Sequence, residues 1–235
     1  MRHYWRSAFR SIRGPLLGGV TIGLTFFGAP APAQHDAGLE IEDRLDVLRL
    51  DRRLLAVSAD GDRTLEVRLR PGEQVLRLES KGLIGVAATR NRLLGVTTRS
   101  GSWQEVRLRV RETEVPEIHL SERLVMIPMD TRLLALTRGG GIWTELQLLP
   151  GEKPIRVEVA PAVGLCLTQR RAIGLSAEGG GFIEINLGPR ETVEAVALKD
   201  RSVTVRTVYR LLLFTSGASR WTELRRTDFR GLPPG

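Results

Sequence analysis

Arg53-Leu54-Leu55-Ala56-Val57 returns four times with small changes, as Arg92-Leu-Leu-Gly-Val, Arg132-Leu-Leu-Ala-Leu, Arg171-Ala-Ile-Gly-Leu and Arg210-Leu-Leu-Leu-Phe. The intervals are 39, 40, 39 and 39 residues, so most of the 235-residue chain is an array of one unit. Each copy is a short apolar run followed by a Gly- or Ser-rich turn: 60–61, 100–101, 139–141, 179–181 and 216–217. Runs of that length, closed by tight-turn residues, read as β-strands in hairpins. Helical periodicity is absent beyond the N-terminal segment, so the array is all-β.

Three further runs accompany each recurrence. One precedes the Arg (45–50, 83–89, 124–129, 163–168, 203–208), one follows the turn (64–70, 103–110, 143–148, 182–187, 221–226), and one ends the unit (75–78, 117–120, 155–159, 193–198). The last run has four copies against five of the others. Residues 38–42 stand before Arg44-Leu45 as 155–159 stand before Val163, so this N-terminal strand is expected to complete the last unit and close the array on itself. Closure leaves only short, protected sheet edges.

A period near 40 with four short strands per unit resembles the β-propellers, and the chain is similar to the bacterial four-strand repeat propellers. In blade number it resembles the five-bladed lectins and five-bladed glycosidases. The resemblance covers residues 34–229 and implies an all-β, five-bladed β-propeller whose last blade is closed by the N-terminal strand. The Gly-His and Trp-Asp marks of WD40 blades are missing, and no functional residues carry over, because propellers host lectins, hydrolases, lyases and pure scaffolds.

Residues 1–33 read differently. Arg2, Arg6, Arg10 and Arg13 stand without an acid, and an uncharged, mostly apolar run from Pro15 to Gly28 leads to Ala31-Pro32-Ala33. This is the pattern of a secretory signal peptide cleaved after Ala33, and it predicts a periplasmic or secreted protein. The competing reading, an uncleaved anchor helix, asks for a longer run without glycines. Residues 230–235, rich in Pro and Gly, read as a frayed tail. Removing the leader leaves 31 basic residues against 27 acids, a mildly basic domain whose charges alternate in sign, which argues against a nucleic-acid partner. The lone Cys166 sits between Leu165 and Leu167 as a small core residue.

Two constellations are candidate sites. Trp103, Trp143, Phe182 and Trp221 each precede by two positions a Glu that lies 13 residues after a recurring Arg. Residues two apart share a strand face, so ring and carboxylate stand side by side as repeated sugar platforms, or as a structural staple of aromatic packing and Arg–Glu pairing between blades. Strict repetition favours the staple. Asp43-Arg44, Glu122-Arg123 and Asp200-Arg201 lie just before the strands expected to line the channel, in the first, third and fifth units only. Three guanidiniums there could converge on a carboxylate, phosphate or acidic sugar at the channel mouth; the plainer reading is solvated turn charge.

His119 is the only His in the repeats, so neither a His-rich metal cluster nor a Ser-His-Asp set can be assembled, and no cofactor or metal is expected. The short connections leave no loop long enough for a lid. The expectation is an exported, non-catalytic interaction module, a monomeric protein-binding scaffold without a membrane span once the leader is removed. A carbohydrate-binding, lectin-like propeller is the first alternative. A glycan-active hydrolase or lyase is the second.

Overall fold

The structure, a computed structural model, describes residues 44–59, 62–112 and 116–225. They form five antiparallel sheets. The first contains β1 (Leu45–Leu50), β2 (Arg53–Ser58) and β3 (Thr64–Arg68). The second contains β4 (Val75–Lys81), β5 (Ile84–Thr89), β6 (Arg92–Thr97) and β7 (Gln104–Arg107), and the third β8 (His119–Leu120), β9 (Leu124–Pro128), β10 (Arg132–Thr137) and β11 (Trp143–Gln147). The fourth contains β12 (Pro154–Val159), β13 (Val163–Thr168), β14 (Arg171–Ser176) and β15 (Phe182–Asn186), and the fifth β16 (Val193–Lys199), β17 (Ser202–Thr207), β18 (Arg210–Thr215) and β19 (Thr222–Arg225).

The strand content matches the expected runs, but the grouping is shifted by one strand. β4 pairs with β5, Leu78 opposite Ala87 and Lys81 opposite Ile84, so the run expected to end one unit opens the next sheet. The connections explain the shift. Only Gly82 and Leu83 separate β4 from β5, a hairpin turn with Gly82 at φ +55. Between β3 and β4 the chain runs through Pro71-Gly72, and Gly72 at φ +74 turns it away toward the neighbouring sheet. The fifth sheet takes all four strands from residues 193–225. Residues 38–42, the expected closing strand, lie outside the described residues, and the sheet with three described strands is the first.

The core lies between the sheets. Four apolar clusters fill the junctions of first with second, second with third, third with fourth and fourth with fifth. Each interior sheet is covered on both faces, so β5, β6, β10, β13 and β14 are buried at every position. This is why the recurring runs are continuously apolar instead of alternating. Fully burying a Leu such as Leu93 or Leu134 contributes about 2 kcal/mol. The outer strands β3, β7, β11 and β15 alternate, with Leu or Ile turned toward a cluster and charge toward solvent.

Candidate functional site

The recurring Arg opens the second strand of the hairpin at the end where one sheet passes to the next. In the second sheet, Arg92 donates through Nε and Nη2 to both oxygens of Glu73 at 2.7 and 2.6 Å, through Nη1 to Glu105 at 2.6 Å, and through Nη2 to the Arg68 carbonyl of the first sheet at 3.2 Å. Arg132 repeats this with Glu112, Glu145 and the Arg107 carbonyl, and Arg171 with Glu152, Glu184 and the Gln147 carbonyl. Arg210 does the same with Glu191, Glu223 and the Asn186 carbonyl. One guanidinium thus ties a connecting segment, its own sheet and the preceding sheet together.

The connecting-segment glutamates are fully engaged. Each also accepts a backbone N–H, from Arg70, Arg109, Leu149 and Gly188 in turn, at 2.7 to 2.8 Å. Burial by itself would raise these carboxyls. The hydrogen bonds from the Arg, the backbone and, for Glu73, Thr89 outweigh it and hold Glu73 down to about 2. Glu191, with Arg210, Gly188 and Thr207, is likewise held to about 2, and Glu112 and Glu152 are lowered in the same way. Glu73, Glu112, Glu152 and Glu191 recur at 39, 40 and 39 residues, a signal present in the sequence that the pattern of Arg and Glu 13 apart left unread.

The aromatic residues occupy the same junctions. Trp103 and Trp221 are 8% and 6% exposed, and Trp143 and Phe182 are half-buried against the clusters. Each Trp Nε1 donates to a carbonyl of the preceding sheet: Trp103 to Leu65 at 3.0 Å, Trp143 to Gln104 at 3.2 Å and Trp221 to Ile183 at 2.9 Å. Ring faces packed in this way are not presented as sugar platforms.

At the opposite end of the strands, backbone bonds join the hairpin turns of neighbouring sheets. The Leu45 N–H donates to the Gly82 carbonyl, Leu83 to Glu122 and Ala162 to Asp200, each at 2.8 Å. The turns come so close that a Cβ on Gly82 would lie 2.8 Å from the Glu122 Cα. Over the turns of the first three sheets lies a depression of about 520 Å³ lined by Arg44, Lys81, Arg123 and Arg138 together with Asp46 and Glu122. Arg123 reaches Glu178 at 3.5 Å. A larger hollow of about 790 Å³ beside the two-residue β8 mixes Arg111, Lys153 and Arg156 with Glu112, Glu117 and Asp130, and its Glu112 is already bound to Arg132.

No family model matches the chain, and no curated protein matches its sequence. Among solved structures it is similar to the N-terminal domain of Nup159, at 10% identity and a TM-score of 0.32 over 79% of this chain and 59% of that one. It is also similar to a complex of Kap60 with yeast RCC1 (Prp20), at 8% identity and 0.39 over 74% and 54%, and to YCF48 bound to D1 peptide, at 11% and 0.31 over 80% and 68%. The chain thus spans little more than half the length of the first two. These are likenesses of shape; the fold rests on the five sheets and their four repeated junctions. The chain is a five-bladed β-propeller.

Of the charged turn residues singled out in the sequence, the propeller brings Arg44, Glu122 and Arg123 into one depression, while Arg201 and Asp200 stand at the fifth blade's turn and do not line it. Asp43 lies outside the described residues. Lys81 and Arg138 complete the cationic lining, and neither recurs in the repeat, so no periodic signal marked them. Cys166 is fully buried, and burial together with the Glu152 charge pushes its thiol up to about 12, far from the reactive range. Among the described residues no helix is long and apolar enough to cross a membrane.

Proposed function

We propose that this propeller is an exported, non-catalytic interaction module, and that the depression over its first three blades receives a carboxylate-bearing segment of a partner protein. One observation carries the reading. Four cationic side chains, Arg44, Lys81, Arg123 and Arg138, line a single hollow against two acids, Asp46 and Glu122. The backbone bonds Leu45 to Gly82 and Leu83 to Glu122 tie the three turns together, so the cations are held on a rigid base before a ligand arrives. Guanidinium groups suit carboxylates through paired, parallel hydrogen bonds. The leader at residues 1–33 supplies the export part of the reading.

The test is fluorescence anisotropy of a labelled, Glu-rich peptide with the purified domain. Saturable binding is expected, weakening as salt is added. Replacing Arg44, Lys81 and Arg123 together by Ala should weaken it about tenfold or more while the melting temperature stays put, since these turn residues stand apart from the cores. Peptide binding that survives the triple variant would refute the site. Selective binding of uronic-acid oligosaccharides in place of the peptide would move the protein to the lectin class.

A further inference from the structure

The four junctions share one set of contacts, and the two outer faces of the array depart from it in matching ways. In blades followed by another blade, the residue three after the recurring Arg is small: Ala56, Gly95, Ala135 and Gly174. It lies under the bulk of the next blade. A Cβ on Gly95 would come 2.5 Å from Leu136 and 2.7 Å from Trp143, and one on Gly174 2.8 Å from Phe214. The fifth blade has no following blade and carries Leu213 at this position. The first has no preceding blade and carries Thr64 where the others carry Trp103, Trp143, Phe182 and Trp221. Volume removed from one outer face is added to the other.

A second contact changes in parallel. Val47 of the first blade lies against Gly85 of the second, and Met126 of the third against Gly164 of the fourth. The equivalents on the outer faces are Thr204 in the fifth blade and Asp46 in the first, so an apolar contact is replaced by a hydroxyl and a carboxylate able to share a hydrogen bond. Strand register places these exceptions together: Thr204, Leu213 and Thr222 form one row across the fifth sheet, and Asp46, Val57 and Thr64 one row across the first. Around the rows the faces stay apolar. Leu48 and Leu50 of the first blade are 51% and 49% exposed and Leu224 of the fifth is 38% exposed, whereas the matching positions of the interior blades are buried or nearly so. Faces that had lost their partners altogether would be free to become polar. These have kept their leucines and exchanged complementary residues.

Among the described residues of one chain no buried cluster joins the fifth blade to the first, so the chain does not cover these faces itself. We propose that the outer face of the fifth blade packs on the outer face of the first blade of a second copy of this chain, with Leu213 over Val57 and Thr64 and with the Thr204 hydroxyl donating to Asp46. The contact is heterologous, head to tail, and repeats the internal junction between molecules. It is independent of the basic depression and of any ligand bound there.

Mixing a chain that carries only Asp46→Cys with a chain that carries only Thr204→Cys tests this directly. Mild oxidation should yield a disulfide-linked pair of chains on a non-reducing gel, with the buried Cys166 of the unaltered protein giving no such product. Sedimentation of the unaltered protein should show mass rising with concentration. Leu213→Arg should weaken that association about tenfold or more without unfolding the domain, because Leu213 is only half-buried in the single chain. If a chain carrying both cysteines links only within itself and stays monomeric, the two faces meet inside one molecule and the proposal is wrong. A monomer at all concentrations with no cross-link overturns it equally.

Discussion

Arg53 and Arg132 hold the same place in the repeat and live in different surroundings. Arg132 is 4% exposed at its side chain, with both oxygens of Glu112, one of Glu145 and a carbonyl of the preceding blade around it. Arg53 is 50% exposed and, among the described residues, meets only Glu66, at 3.4 Å. The same residue type opposite the same Glu position thus serves as a buried tie in one blade and as a surface pair in another. What differs is the preceding blade, which contributes the connecting Glu and the carbonyl and shuts out water. The tie belongs to the junction and not to the blade, and electrostatic strength follows the excluded water.

The sharpest way to break this contrast is to remove one carboxylate. Glu112→Ala strands a buried guanidinium and should cost about 3 to 5 kcal/mol in urea unfolding, whereas Glu66→Ala, which frees a hydrated Arg53, should cost about 1 kcal/mol or less. Equal losses would mean that burial does not distinguish the two. Next in size is the acid limb of stability. The folded-state carboxyls of Glu73 and Glu191 are held at about 2, below their unfolded values, so the folded state binds fewer protons. Their contribution is complete at neutral pH, starts to fall as pH drops through the ordinary carboxylate range, and is gone near 2. Melting curves across that window should show the loss, and Glu191→Gln should flatten it, while Glu66→Gln should leave its slope in place.

A smaller effect comes from exchanging the small and large residues of the interior and terminal blades. Gly95→Leu copies the fifth blade into the second and drives side-chain atoms into Leu136 and Trp143, an overpacking expected to cost about 1 to 3 kcal/mol or more. The reverse exchange, Leu213→Gly, removes a half-buried side chain and gives a strand more freedom, so about 1 kcal/mol is expected. Differential scanning calorimetry of the two variants would rank them. The inverse order would mean that the outer face of the fifth blade is packed as tightly as an internal junction.

Much of the architecture was readable in the residues. Arg-Leu-Leu recurs because every blade must repeat one hairpin, and the Gly- and Ser-rich turns sit where the hairpins close. The Arg and Glu 13 apart meet because a single hairpin register sets Leu134 opposite Glu145 and Ile173 opposite Glu184, a short-range relation that spacing alone conveys. The phase of the sheets was not readable in that way. Whether residues 75–81 join the strands before or after them depends on Pro71-Gly72 turning the chain away and Gly82 turning it back, a choice made by backbone geometry and by which neighbour covers the apolar face.

Strand periodicity, hairpin register, blade number and the identity of the ties were thus determined by the sequence, because each depends on residues a few or a few dozen positions apart in a repeating pattern. Only the tertiary structure decided that Glu73 and its equivalents complete the ties, that the Trp rings are spent inside junctions, and that Lys81 and Arg138 join Arg44 and Arg123 in one hollow. Those outcomes require different blades to meet, and a charge that appears once in a repeat leaves no period by which to find it.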